Sequence, residues 1–110
     1  MAFSNAYRDF VVEQFGRVVP VQAKAMFGGV GLYSEGLFFA LIAEDRTYLK
    51  VDDSNRPDFE AAGMSPFVPY GEKPMKYFEL PGELLEDVSA LRPWLEKAVG
   101  VARNAKRRGR

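Results

Sequence analysis

The sequence predicts an α+β fold, a single domain whose mainly antiparallel sheet of about four to five strands is flanked by an N-terminal helix, a short middle helix and a kinked C-terminal helix. The chain has 110 residues, which is close to the commonest domain size. Apolar residues recur at helical spacing near both ends, and the short apolar runs between them are joined by turns of hairpin length. Such short turns require neighbouring strands to be antiparallel.

The N-terminal helix is predicted to begin at Ser4 or Asn5, since both residue types are favoured N-caps, and to end near Phe15 with Gly16 as its stop. Residues 17–23 contain Pro20 and are expected to form a loop or an irregular edge.

The sheet is expected to begin at residues 25–27 and to continue with strands at 30–33, 37–43 and 47–51. The run at 37–43, LFFALIA, lacks alternation and therefore predicts a central strand covered on both faces. In the strand that follows, Leu49 and Val51 are expected to point inward, and Lys50 and Asp52 outward.

A middle helix is predicted at 56–62, with a cap at Asp53, Ser54 or Asn55 and with Gly63 as its stop. An edge strand at 67–70 and a further strand at 77–80 follow. The C-terminal helix is expected to start within 82–87 and to run to about residue 105. Because Pro93 cannot donate a hydrogen bond to the Ser89 carbonyl, a kink or a break is predicted near Arg92.

The composition excludes several kinds of catalytic site, because the sequence contains no cysteine and no histidine. Without cysteine there can be no disulfide, no catalytic thiolate and no iron–sulfur cluster. Without histidine there can be no Ser–His–Asp or Cys–His site, and the commonest general base is missing. We therefore predict no catalytic residue, no metal site and no cofactor.

The start of the chain, MAFSNAYRDF, lacks the charged and apolar segments of a signal peptide. The longest strongly apolar stretch, 37–43, is far shorter than the ~20 residues that a membrane span needs. We therefore expect a soluble, cytoplasmic protein with no membrane partner.

The net charge is zero, but the charges are unevenly placed. The last five residues contain Lys106, Arg107, Arg108 and Arg110, and without these four the remaining 11 basic residues face 15 acidic ones. We divide the chain into a domain at 1–105 and a basic tail at 106–110. The tail can bind phosphate backbones non-specifically, or it can serve as a solubilising helix end whose cations favour the helix dipole.

Several motifs occur together along the chain. They are K-x-M-F-G-G-V-G-L-Y at 24–33, G-L-F-F-A-L-I-A from Gly36, Y-L-K-V-D-D-x-N-R at 48–56, F-x-A-A-G from Phe59, and YFELP at 77–81 followed by a helix with Leu-Arg-x-Trp. In this combination they resemble the TfoX N-terminal domain over about residues 5–103.

The resemblance implies a small α+β domain of bacterial proteins that are connected with the regulation of natural competence, the uptake of DNA. It supplies no catalytic residues. Longer relatives carry a second, helical domain associated with nucleic-acid binding, and we expect this chain to be a stand-alone N-terminal domain without it.

The glycines Gly28, Gly29 and Gly31 invite comparison with a phosphate-binding loop. Such a loop needs a strand before the glycines and a helix after them, whereas here a strand follows and no G-K-[ST] occurs. We therefore expect these glycines to serve a tight turn, a bulge or a close approach of backbone.

The acidic segment contains Asp52, Asp53, Asn55 and Asp58, which resemble oxygen ligands for a hard cation, but the central glycine and the distal glutamate of a calcium loop are missing. Helix capping by residues 53–55 and compensation of the helix dipole by Asp58 explain this cluster, and a local salt bridge explains Arg56. Together with the three glycines, Asp52, Asp53, Asn55 and Arg56 form the candidate ligand or interaction surface.

Tyr70, Lys73, Lys76 and Tyr77 combine aromatic rings with positive charge, which can suit single-stranded nucleic acid. A solvated loop over strand edges is the preferred interpretation.

The leading functional hypothesis is a non-enzymatic regulatory or adaptor domain. It would bind another protein, or a second copy of itself, through a sheet edge or the outer side of the C-terminal helix. The second hypothesis is a nucleic-acid-binding accessory protein that uses the tail cations Lys106, Arg107, Arg108 and Arg110. The third is a small-ligand domain or an enzyme that uses Tyr, Lys and carboxylates near residues 28–31 and 52–56.

Overall fold

The computed structural model describes residues 4–26, 28–68 and 74–107. Its elements, in chain order, are α1 (Asn5–Gly16), β1 (Gln22–Met26), β2 (Gly29–Ser34), β3 (Leu37–Ala43), β4 (Arg46–Lys50), α2 (Arg56–Ala61), β5 (Tyr77–Glu79), a 3₁₀ helix (Gly82–Glu86) and α3 (Val88–Arg107). The predicted α+β class is confirmed, with three α-helices packed on an antiparallel sheet of five strands.

The strands are arranged in chain order, β1-β2-β3-β4-β5, and each is antiparallel to its neighbours. The central position predicted for β3 is therefore confirmed. The expectation of a loop or an irregular edge over 17–23 is wrong at its end, because Gln22 and Ala23 already belong to a regular edge strand and pair with Tyr33 and Leu32 of β2. Pro20 precedes this strand and so does not interrupt its hydrogen bonds.

The two turns on either side of β3 are tighter than predicted. Ser34 and Arg46 belong to the strands, which leaves the residue pairs Glu35-Gly36 and Glu44-Asp45 to make the turns. All four residues have positive φ, between 51° and 83°. This is the pattern of type I′ turns, whose twist matches that of the flanking strands.

The core lies on one face of the sheet, where all three α-helices pack. Phe15 of α1, Phe59 of α2 and Leu95 of α3 are buried there with Phe39 and Leu49 of the sheet. A β-bulge adds to this core.

The bulge lies in β3. Leu32 pairs with Ala40 whereas Tyr33 pairs with Phe38, so Phe39 is the extra residue. Phe39 and Ala40 consequently both belong to the core beneath the helices.

The helix termini follow the sequence signals in part. The predicted N-cap Ser4 accepts a hydrogen bond of 3.0 Å from the Tyr7 N–H. The predicted stop at Gly63 is confirmed: Gly63 has φ +77°, and the Met64 N–H donates to the Phe59 carbonyl in a Schellman motif. Gly16 is the last residue of α1, but it does not end the helix in a left-handed conformation, since its φ is not positive. Arg17, the residue after it, is also in right-handed conformation.

The C-terminal segment differs from the prediction at both ends. Asp87 is extended and separates the 3₁₀ helix from α3, which begins only at Val88. From there α3 is continuous through Pro93 to Arg107, so a break near Arg92 is wrong, while the alternative of a kink there stays a prediction.

Only part of the expected edge strand at 67–70 can be compared with the structure. Pro66 forms an isolated bridge with Phe78, and the Phe67 N–H donates to the Tyr77 carbonyl at 2.7 Å. Residues 69 and 70 lie outside the described residues. Among the helices that the structure describes, none has both the length and the apolar character to cross a membrane.

Candidate functional site

The glycines of the predicted site are placed by backbone geometry. Gly28 has φ +74° in the segment that follows β1. A Cβ atom on Gly29 would lie only 2.3 Å from the Ile42 carbonyl oxygen, so no side chain fits there. A Cβ on Gly31 would lie 2.8 Å from the Met26 sulfur. Gly29 and Gly31 therefore allow close packing within the sheet.

The acidic turn after β4 satisfies its own polar groups. Asn55 is 1% exposed; its Oδ1 accepts from the Asp52 N–H at 2.9 Å, and its Nδ2 donates to the Lys50 carbonyl at 3.1 Å. Asn55 occupies the N-cap position of α2, but its side chain makes no capping hydrogen bond, so the expected capping role is wrong for this residue. The amide instead joins the end of β4 to the start of α2.

Arg56 is held locally, as the salt-bridge interpretation expects. Its guanidinium pairs with the Asp53 carboxylate and lies 3.8 Å from that of Glu60. Asp52 Oδ1 accepts from the backbone N–H of Ser54 at 2.8 Å.

The structure does not bring the glycines and the acidic turn together. Gly29 begins β2, whereas Asp52 follows the end of β4, and both strands are antiparallel to the β3 strand that separates them. The two groups therefore lie at opposite ends of the sheet. Ligand binding at either one stays a prediction.

The predicted basic tail is described only in part. Lys106 and Arg107 are exposed in the last turn of α3, one turn beyond Arg103, while Arg108 and Arg110 lie outside the described residues. The carbonyl end of a helix favours such cations. Their contact with nucleic acid stays a prediction.

A cleft of about 320 Å³ lies between α1, the turn that joins β3 to β4, and the 3₁₀ helix. Tyr7 and Thr47 line it, and their hydroxyl groups share a hydrogen bond of 2.7 Å. Burial raises the pKa of Tyr7, so this phenol stays protonated near neutral pH and cannot act as a base there. In the part of the chain that the structure describes, no cluster of three acidic side chains could hold a metal ion.

The outer edge of the sheet is the strand β1. All five of its residues pair with β2 without a bulge, and among the described residues no strand pairs with its other edge. Gln22, Ala23, Lys24 and Ala25 are exposed. Alternate residues of this strand therefore direct their N–H and C=O groups away from the sheet.

The face of the sheet opposite the helices carries aromatic side chains, and we call it the aromatic face. Its members are Tyr33, Phe38, Tyr48, Phe67 and Tyr77. Tyr33 and Phe38 are directly opposed on β2 and β3, with ring centroids 5.0 Å apart and planes inclined by 22°. Phe38 also contacts Tyr77, with the centroids 5.6 Å apart. Among the described residues, no helix contributes to the cluster on this face.

Lysine side chains lie across the aromatic face. The Lys24 ammonium is 5.1 Å from the centre of the Tyr33 ring, and the Lys50 ammonium is 5.1 Å from that of Tyr77. Such positions allow cation–π attraction. Burial, with a smaller contribution from the nearby Lys76, lowers the pKa of Lys50. The cation is therefore poorly compensated in its present surroundings.

Sequence reasoning did not identify the aromatic face. It predicted β3 to be covered on both faces, and six of its seven residues are indeed buried. On the side away from the helices, however, the cover consists of neighbouring aromatic rings. The available signal was the alternation in β4, where Tyr48 and Lys50 share the face opposite Leu49.

Two comparisons relate the chain to known proteins. The family model of the TfoX N-terminal domain matches residues 13–102. An uncharacterized 12.7 kDa protein in the trpE 5′ region of Spirochaeta aurantia is 37% identical over 60 residues, which are 54% of this chain. The matched region spans 52% of that relative, about half of its length.

Proposed function

The chain belongs to the TfoX N-terminal domain family, and from this premise we propose that it is a non-enzymatic regulatory or adaptor domain that acts by binding another protein. The partner adds a β-strand to the free edge of β1. Regulation of natural competence, in the cytoplasm, is the cellular setting that we propose from the family.

The exposed edge of β1 is the observation that carries this proposal. An unpaired edge offers main-chain donors and acceptors to an added strand, and this edge is regular over five residues and contains no proline. The small side chains of Ala23 and Ala25 leave room for an approaching chain. The absence of histidine and cysteine supports a role without catalysis.

The single lysine in the middle of this strand bears on the identity of the partner. A second copy of the chain paired antiparallel about Lys24 would place the two Lys24 side chains directly opposite each other, which is unfavourable. A different protein, with an acidic or polar residue at that position, avoids this repulsion. We therefore propose a heterologous partner.

The experiment compares baits that differ only at the edge. Because successive residues of an edge strand direct their N–H groups to opposite sides, Lys24→Pro and Ala25→Pro remove N–H groups on opposite edges of β1. The variant that loses the outward N–H keeps native stability and is the edge variant. The other loses a hydrogen bond to β2 and is less stable.

We expect the wild-type domain to bind a protein partner saturably in pull-down from lysate and in titration with the purified partner. The edge variant loses that binding, whereas Glu60→Ala on the exposed surface of α2 retains it. Analytical ultracentrifugation of the domain alone separates a heterologous partner from self-association. The proposal is wrong if no saturable partner is found or if the edge variant binds as well as the wild type.

A further inference from the structure

The aromatic face combines two features, and it includes Tyr77 from the segment in which the sequence combines aromatic rings with positive charge. Tyr33 and Phe38 are only partly buried, so part of each ring can be reached from solvent. Tyr77 is 4% exposed and lies 5.6 Å from Phe38, which gives the outer rings a rigid support. A planar ligand can stack on such a platform.

The cations of the molecule divide into two classes. Six cations lie within 4 Å of a carboxylate, namely Arg8, Arg17, Arg46, Arg56, Arg92 and Lys97. Among the described residues, six cations form no such pair: Lys24, Lys50 and Lys76, and Arg103, Lys106 and Arg107 near the end of α3. Of these, Lys24 and Lys50 lie over rings of the aromatic face, and Lys76 lies near Lys50. This clustering of uncompensated lysines around aromatic rings favours an anionic ligand.

The acidic group of the aromatic face does not cancel this charge. Glu79 is opposite Tyr48, and its carboxylate lies 3.6 Å from the Arg46 guanidinium. Lys24 and Lys50 instead lie over the rings of Tyr33 and Tyr77. The positive charge and the accessible rings therefore coincide.

We propose that the aromatic face binds single-stranded nucleic acid, with bases stacked on Tyr33 and Phe38 and with phosphates held by Lys24, Lys50 and Lys76. A single strand carries flat, unpaired bases and one negative charge per nucleotide, which matches both features of this surface. In a duplex the faces of the bases are covered by their neighbours, so they cannot reach the rings.

This surface is separate from the edge that binds protein in the proposed function. Strand addition uses main-chain groups in the plane of the sheet, whereas the rings project perpendicular to it. Lys24 is shared by the two sites, whereas Tyr33 belongs to the aromatic face alone, so Tyr33→Leu tests that face without changing the edge strand.

The test uses fluorescence anisotropy with labelled oligothymidylate and oligouridylate, each longer than the roughly 4–16 nucleotides that one small binding fold covers. A duplex of the same length is the third probe. We expect the domain to bind at least one of the single strands and to bind the duplex more weakly. The comparison of oligothymidylate with oligouridylate shows whether DNA or RNA is the preferred source.

Substitutions separate stacking from charge. Tyr33→Leu is expected to weaken binding at least about fivefold, because a stacked base is lost, while the dependence on salt is unchanged. Tyr33→Phe keeps the ring and is expected to retain the affinity. The triple variant Lys24→Gln, Lys50→Gln, Lys76→Gln is expected to reduce the slope of log affinity against log salt by about 2.

A control with the same change of net charge is available at the end of α3. The triple variant Arg103→Gln, Lys106→Gln, Arg107→Gln also removes three unpaired cations and is expected to bind as the wild type does. Circular dichroism of each variant checks that the fold is retained.

The proposal is overturned if neither single strand binds or if the duplex binds equally well. Equal loss in the two triple variants also overturns it, because binding would then depend on overall charge or on the basic tail. The proposal is supported if the Lys24, Lys50 and Lys76 variant loses affinity for the single strand while the α3 variant does not. It also requires that Tyr33→Phe retains the affinity that Tyr33→Leu loses.

Discussion

Single residues decide how the end of β4 is joined to α2. Asn55 lies in a sequence context that favours a helix cap, yet its buried amide binds the Lys50 carbonyl and the Asp52 N–H instead. Asparagine forms both kinds of local hydrogen bond with similar ease, so the spacing alone does not distinguish them. The choice is consistent with the burial of the side chain, which is 1% exposed.

Substitution of Asn55 tests this role. Asn55→Ala leaves the partly buried Lys50 carbonyl and Asp52 N–H without these partners, so we expect the free energy of unfolding to fall by about 1–3 kcal/mol in urea denaturation. Asp53→Ala in the same turn removes an exposed ion pair with Arg56. This variant is expected to change the free energy of unfolding by less than about 1 kcal/mol. Equal losses in the two variants would show that the Asn55 amide is not the structural link.

At the scale of elements, α3 shows how a helix tolerates an internal proline. The buried side of α3 is a stripe at helical spacing, formed by Leu91, Leu95, Ala98 and Ala102. Pro93 lies outside that stripe and is exposed, as is Ser89, whose carbonyl it leaves without a helical partner. Water can reach this carbonyl, and packing of the stripe holds the helix continuous.

The proline therefore costs stability that a substitution can recover. Pro93→Ala restores the hydrogen bond to Ser89 and is expected to raise the free energy of unfolding by about 1–3 kcal/mol. The control Pro57→Ala lies in the first turn of α2, where an N–H needs no helical partner, so no gain is expected. A loss of stability in Pro93→Ala, measured by the same denaturation, would contradict this account.

The molecule as a whole has a sheet with two different faces. One is covered by three helices and contains the main core, whereas the other holds a smaller cluster around Leu41, Ala43 and Tyr77. Partly buried tyrosines lie on both sides of the sheet. Tyr7 packs against the main core, and Tyr48 packs against the smaller cluster. Burial raises the pKa of Tyr7, Tyr48 and Tyr77 above the ordinary value of 10.0.

These shifts predict alkaline unfolding. Below pH 10 the phenols are protonated in both states, so the stability that they contribute is fully present. As pH rises from about 10, the unfolded chain releases its protons first, and the stability falls until the folded tyrosines ionise as well. The lowered pKa of Lys50 acts in the opposite direction, since stability is regained as that lysine loses its charge in the folded protein.

We expect the free energy of unfolding to decrease above pH 10, because three raised tyrosines oppose one lowered lysine. Urea denaturation over a series of alkaline pH values measures the decrease, and phenolate absorbance follows the ionisation. Tyr77→Phe is expected to weaken the pH dependence. Ionisation of all the tyrosines at their ordinary pKa without loss of stability would refute this prediction.

The sequence by itself determined the α+β class, the family, the central position of β3 and the stop of α2, because these depend on local spacing, turn length and glycine chemistry. Only the tertiary structure decided the start of β1, the role of Asn55 and the separation of the glycines from the acidic turn. It also decided that residues from four strands and the 64–68 segment form one aromatic face. These features arise from pairing between distant segments, and the register of that pairing is fixed by burial on the helical face of the sheet.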